Sequence, residues 1–537
     1  MLDWSVFVLN LSVRGQKSRW AMFGLYLGLL TAPAFQANAA VTYSSVFSFD
    51  LSVSSGGVVE GNNQALFGTV TNASLTSGGA IYKASMAGGA PQTIFQLSSD
   101  DGHGYTPTAG LLVGSDDYLY GSTVYGARQT SLTLYSGTGT LFRVRQDGTA
   151  FQQLHTFGAI SETNSVTLGG QTVSINKNAD GIYPSFPLIE DSSGYLYGVT
   201  SYGGSNGTGV IFRILRDGTG FQVLHSFAAQ GSDGRGTDQG NGVEGAFPSG
   251  PLLLSNSRLY GVTSNGGSNL YTLETTASDA TVTTTTQGTG TVYSLNPDGS
   301  DFQTIYNFSA LADAADSDST TSDYLGENGD GAFPSGGLTE VSLGVIVGTA
   351  ADGGVTSDTT VGGLGTIFQL NTDGTLANTT STTLHSFDST TGYAPKGKLM
   401  LANDGRLYGV NSRGSSTTDP VLSYGSVFSI STTATTGGDY VVEHVFTTAE
   451  GIYPEAGLSK ASNGDLFGTT TQAGVCNTVY GSYGSVYRLS FTGAAATGYA
   501  NCTTYDSGGG SMSVGWLWLL AALGLVPPVR RRLFSFE

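Results

Sequence analysis

A Leu-Tyr-Gly element recurs seven times along this 537-residue chain, and no other feature restricts the fold as strongly. The copies are Leu66-Phe67-Gly68, Leu119-Tyr120-Gly121, Leu196-Tyr197-Gly198, Leu259-Tyr260-Gly261, Ile346-Val347-Gly348, Leu407-Tyr408-Gly409 and Leu466-Phe467-Gly468. Their spacing runs from 53 to 87 residues, so the insertions differ while the element persists. Each copy sits among four strand-like pieces. In the clearest one, Asp180 to Phe227, a first strand ends at Leu188-Ile189 and a polar turn, Asp191 to Gly194, follows. The L-Y-G-x-T segment is the second strand. The third reads G-x-V-F-x-L, from Gly209 to Leu215, and an Asp217-Gly218 turn leads into the fourth, F-x-x-L-H-S-F. Asp-Gly between apolar runs is a strong hairpin signal, because the turn needs positive φ. It recurs at Asp147-Gly148, Asp298-Gly299 and Asp373-Gly374.

A four-stranded antiparallel unit repeated seven times predicts an all-β chain, a seven-bladed β-propeller over residues 41–490. Composition agrees. Glycine is 80 of the residues, charged residues are 11%, and 27 Tyr and 26 Phe supply a core for many tight turns. The order of strands predicts ring closure. No fourth strand follows the last third strand, Gly484 to Leu489, whereas one stands alone at Ser45-Val46-Phe47-Ser48-Phe49. The N-terminal strand should complete the last blade and remove an open sheet edge.

The copies resemble the GloVer tandem-repeat family of exported bacterial proteins, known for variable C-terminal anchors. L-Y-G-x-T, G-G-x-x-x-x-G-x-V-F and D-G-T carry the resemblance across roughly residues 41–490. It implies no catalytic residues.

The ends read as addresses. Arg14, Lys17 and Arg19 precede an apolar stretch from Trp20 to Phe35, then Ala37-Asn38-Ala39, which predicts a signal peptide over 1–39. A linker over 491–511 ends in Gly508-Gly509-Gly510-Ser511. Residues 512–537 hold an apolar run and Arg530-Arg531-Arg532. This tail resembles the GlyGly-CTERM sorting signal. The resemblance implies a Gram-negative protein handled by signal peptidase and a rhombosortase-type protease, held transiently in the inner membrane, then displayed at the surface or released. A plain membrane anchor is the alternative. In an exported chain, Cys476 and Cys502 are expected to form a disulfide clamping the C-terminal segment to the ring.

Candidate sites are few. His155, His225, His385 and His444 share one position of the fourth strand, where other copies have Phe47, Phe95 and Tyr306, so a flat packing ring is expected. His103 lies in a loop without an evident partner. The acids of Asp101-Gly102, Asp180-Gly181, Glu244-Gly245, Asp330-Gly331 and Glu450-Gly451 read as turn chemistry rather than a cation ring. Asp313, Asp316, Asp318 and Asp323 form an oxygen-rich segment whose chemistry suits calcium, but its spacing is not that of an EF-hand, so a solvated acidic loop is the competing reading. No other cofactor is expected. No G-x-S-x-G, H-E-x-x-H or Walker sequence occurs, and catalytic residues are expected to be none.

The net charge of −19 argues against nucleic acid and anionic membrane surfaces as partners. Location and fold together make the expected function a non-catalytic, exported scaffold that binds an extracellular glycan or protein. The alternatives are an exported carbohydrate-active hydrolase or lyase, or a structural matrix component. Loops between strands two and three, and from strand four to the next blade, are long and variable, as in Val124 to Gly137 and Gly158 to Asp180. Strand alternation puts both classes on one acidic face, where binding should reside and cationic ligands or calcium-bridged glycans are favoured. A binding module should show equivalent exposed aromatics in several blades. An enzyme should show an unrepeated group of acid, base and aromatic residues meeting near the axis.

Overall fold

The computed structural model describes residues 41–49, 52–53, 56–72, 78–98, 102–126, 137–168, 171–230, 243–276, 282–312, 326–355, 363–377, 382–414, 424–432, 439–472 and 484–491. Residues 1–39 and 512–537, both cysteines, and Asp313, Asp316, Asp318 and Asp323 lie outside this set. Among the described residues no helix is long and apolar enough to cross a membrane.

Seven antiparallel sheets follow one another along the chain and form a seven-bladed β-propeller. Blade three is typical: Ile189–Glu190, Tyr195–Thr200, Val210–Leu215 and Gln222–Ser226 pair in that order. Blade seven closes the ring as the strand order requires. Its second and third strands are Leu466–Thr469 and Ser485–Ser490, and its fourth is the N-terminal Thr42–Ser48. The register sets Phe47 opposite Val486 and Thr42 opposite Ser490. Two further hairpins were not expected. Glu162–Leu168 pairs with Gln171–Lys177, and Leu270–Thr276 with Val282–Gly288. Both grow from the two long connection classes, so both rise from the long-loop face.

Buried residues fall into clusters that each span a blade boundary. Leu141 and Tyr120 of blade two meet Phe212 and Leu196 of blade three, and the pattern repeats around the ring. Val46, Phe47 and Val486 of blade seven meet Tyr82 and Leu66 of blade one, so the last interface is packed like the others. Burial of this apolar surface is the main driving force for closure.

The Leu-Tyr-Gly element has a packing reason. The third-strand aromatic of the same blade lies across the glycine. A methyl carbon on Gly198 would sit 2.5 Å from Phe212, and one on Gly261 2.2 Å from the Tyr293 hydroxyl. The tyrosine ties down the preceding turn where an Asp is present. Tyr197 Oη donates to Asp191 at 2.9 Å, Tyr120 to Asp116 at 2.9 Å and Tyr408 to Asp404 at 2.8 Å. The D-G-T turns are equally local. Asp217 Oδ1 accepts from the amide and hydroxyl of Thr219 at 2.9 and 2.7 Å, and Gly218 takes φ of +90°.

Candidate functional site

First strands of neighbouring blades converge backbone to backbone, which makes them the inner strands. A methyl carbon on Gly250 would lie 2.3 Å from Gly337 N, one on Gly336 2.2 Å from Gly397 O, and one on Gly397 2.0 Å from Gly457 N. These close approaches narrow the axis below its mouth on the long-loop face. The mouth itself is built by a corner that recurs six times just before the first strand proper. The corner reads G-x-z-P, with Thr106, Tyr183, Phe247, Phe333, Ala394 and Tyr453 at z. All six hold φ between +54° and +61°. That is costly for residues with a Cβ.

The neighbouring blade supplies the compensation. The amide of Tyr183 donates to Thr138 O at 3.0 Å, that of Phe247 to Thr208 O at 2.9 Å and that of Tyr453 to Tyr424 O at 2.9 Å. The proline that follows then lies against the glycine opening the third strand of the preceding blade. A methyl carbon on Gly139 would be 2.5 Å from Pro184 Cδ, and one on Gly209 2.6 Å from Pro248 Cδ.

The corner sets the z side chain at the long-loop end of its blade, where Phe333 is buried against Tyr271 of an extra hairpin and the other five stay partly exposed. Its partner at the end of the second strand joins it, because the residue before z pairs there: Tyr105 with Tyr125, Ile182 with Tyr202, Ala332 with Asp352, Tyr393 with Arg413 and Ile452 with Gln472. In blades two to four this produces a continuous run of rings. Tyr105 stacks on Tyr125 at 5.1 Å between centroids, Tyr125 meets Tyr183 edge-on at 5.5 Å, Tyr183 meets Tyr202 at 6.1 Å, and Tyr202 meets Phe247 at 5.3 Å. Tyr105, Tyr183, Tyr202 and Phe247 remain partly exposed. Burial pushes the Tyr202 phenol up to about 12, with Tyr183 adding to the rise, so this phenol stays neutral.

The other half of the mouth breaks the repeat. Here stand Asp352, Lys396, Arg413 and Glu455, with Tyr393 and Tyr453 between them. Lys396 pairs with Glu455 at 3.6 Å. Burial pushes the Asp352 carboxyl up to about 7, with the Lys396 charge pulling the other way. The Arg413 guanidinium lies over the Tyr453 ring at 5.4 Å. The aromatics expected of a binding module and the unrepeated acid and base expected of an enzyme thus occupy opposite arcs of one opening.

The histidines behave as packing rings, and the acids do more than cap turns. His155 lies flat on Phe221 at 3.7 Å, His225 on Phe302 at 3.7 Å, His385 on Tyr440 at 4.0 Å and His444 on Tyr43 at 3.6 Å. His155 Nε2 also meets Asp180 at 2.9 Å, His225 meets Glu244 at 3.2 Å and His444 meets Glu450 at 3.3 Å, each across a blade boundary. These three acids are held by histidines and by backbone amides such as Gly158 N and Ala228 N. His103, not Asp101, stands at the acid position of blade two. There the preceding blade offers Phe95, and His103 packs against Phe95 and Phe151 at 5.4 and 4.5 Å. Among the described residues no three His, Cys, Asp or Glu side chains are placed to hold a metal. The belt was missed in the sequence, although its signal, G-x-(Tyr/Phe)-P ahead of several copies, is visible there.

Residues 33–240 match the Gloeobacter/Verrucomicrobia repeat family. The match spans the first three blades of the repeat whose wider resemblance the motifs carry. No curated protein sequence matches the chain. Among solved structures, an ulvan lyase of a new polysaccharide lyase family is similar at 9% identity and a TM-score of 0.42, covering 83% of this chain and 95% of that one. An oligogalacturonate lyase with manganese is similar at 10% identity and 0.41, covering 84% and 94%. A gluconolactonase from Xanthomonas campestris is similar at 12% identity and 0.35, covering 84% and 90%.

Proposed function

We propose that the protein is an exported surface or secreted scaffold that binds an extracellular glycan in the mouth of the propeller on the long-loop face. The observation that carries this reading is the ring run from Tyr105 to Phe247, presented by three successive blades through the same corner. Sugar rings have apolar faces that stack on aromatics, and rigid, half-buried rings lose little entropy on binding. The expected addresses at the two ends support export.

The test is glycan binding by wild type and by the double variant Tyr105→Ala, Tyr183→Ala, with melting temperature as the fold control. Affinity for the bound glycan should fall at least tenfold while the fold persists. Unchanged affinity would remove the mouth as the site. A second reading, a carbohydrate-active enzyme, draws on one observation: in the unrepeated arc burial pushes the Asp352 carboxyl up to about 7, against the Lys396 charge. Slow turnover of a bound glycan, abolished by Asp352→Asn with binding retained, would establish it.

A further inference from the structure

We infer that Arg413 makes the mouth a site for a carboxylate-bearing saccharide, a proposal that rests on the glycan reading above and narrows its ligand class. Arg413 ends the second strand of blade six, at the register position that Tyr125 and Tyr202 hold in blades two and three. Every other described arginine, from Arg143 to Arg488, has an acid, hydroxyl, amide or carbonyl oxygen as partner. Among the described residues Arg413 alone has only a ring, Tyr453, beneath its guanidinium.

The chain is rich in acids that might have been placed beside it. Of the acids in the same arc, Glu455 pairs with Lys396, and Asp352 makes no ion pair with Arg413. The planar fork of Arg413 therefore keeps its donors for a group from outside. The Tyr453 ring lies beneath the guanidinium, and among the described residues no acceptor takes its N–H edge. A planar carboxylate matches that edge with two parallel N–H···O bonds, which a lysine ammonium does not reproduce. Tyr393, paired with Arg413 across the strands, stands beside it as a neighbour for the sugar that carries the carboxylate. Among the described residues of this arc, Lys396 and Arg413 stand against Asp352 and Glu455.

The experiment measures binding of a short oligogalacturonate and of the same oligosaccharide methyl-esterified, by wild type, Arg413→Gln and Arg413→Lys. The net charge of −19 disfavours any polyanion in all three proteins to nearly the same extent, so the readout is the acid-over-ester affinity ratio. Arg413→Gln should lower that ratio about tenfold or more, as loss of a charge-assisted bidentate contact implies, with affinity for the ester retained. Arg413→Lys should fall between them. The melting temperature should change little, because Arg413 holds no polar group of the protein. A ratio unchanged in Arg413→Gln overturns the inference and leaves the glycan reading standing. Binding of the ester with none of the acid does the same. Binding of neither, nor of any other glycan, removes the glycan reading and this inference with it.

Discussion

His385 is the fourth-strand histidine whose buried Nε2 has neither a hydrogen bond nor an ion pair, because blade six offers Thr391 where blades three, four, five and seven offer an acid. Burial pushes its pKa down to about 4, against the opposing charge of Asp388. The unfolded value is about 6.5, so protonation favours the unfolded chain. The stability this ring contributes is complete above pH ~6.5 and is lost as pH falls toward 4. His385→Phe keeps the flat ring on Tyr440, as Phe95 does on Phe151. The variant should lose less stability than wild type between pH 7 and pH 4.5, and urea titrations at the two values check it. Equal losses would show that other groups set the acid limit. Asp352 has the opposite sign. Its raised carboxyl favours the folded chain only while protonated, so its cost appears as pH rises from ~3.8 through 7. Asp352→Asn should raise the melting temperature at pH 8 and leave it unchanged near pH 3.5. No gain at pH 8 would mean that attraction to Lys396 outweighs burial.

Among elements, turns were readable and corners were not. Asp217-Gly218-Thr219 closes its hairpin with contacts inside five residues, so the tripeptide alone announces it. The Tyr183-Pro184 corner runs against local preference, since the residue before proline avoids helical backbone and a Cβ avoids positive φ. Its justification is a carbonyl, Thr138 O, and a glycine, Gly139, that belong to the preceding blade. Nothing local could reveal that partnership. The two extra hairpins were hidden for a different reason. Val282–Gly288 is a run of threonines with no apolar alternation, so it carries β-branched residues but no face to bury. The corner predicts the consequence of a single methyl group. Gly209 takes φ of +102°, and its new carbon would lie 2.5 Å from Thr200 O and 2.6 Å from Pro248 Cδ. Gly209→Ala should cost about 2 kcal/mol or more, because strain and overpacking add. Denaturant midpoints of this variant and of a Gly89→Ala control, in an open turn, measure it. Similar midpoints would show that the interblade corner yields.

For the whole molecule, periodicity disclosed what the copies share and concealed where they differ. Blade number and closure follow from counting equivalent strands. The mouth is built by Tyr125, Tyr202, Asp352 and Arg413 at one repeated position, and a reader aligning copies discounts such a position as variable. Closure rests on Thr42–Ser48, which joins the two ends of the array. Val46 and Phe47 are 0% and 1% exposed, in the cluster shared with blade one, and Tyr43 covers His444 of blade six. The strand thus touches blades six, seven and one. Without it Ser485–Ser490 becomes an open edge beside an uncovered apolar surface, the combination that invites edge-to-edge association. Deletion of residues 42–48 should abolish the single cooperative unfolding transition and drive the protein into sedimenting oligomers. A peptide spanning residues 41–49, added in trans, should restore a monomer by strand addition. The same peptide with Val46→Asp should not, because that residue sits in the buried cluster. A truncated chain that stays monomeric and melts at the wild-type temperature would mean that the six complete blades hold the ring without the seventh being closed.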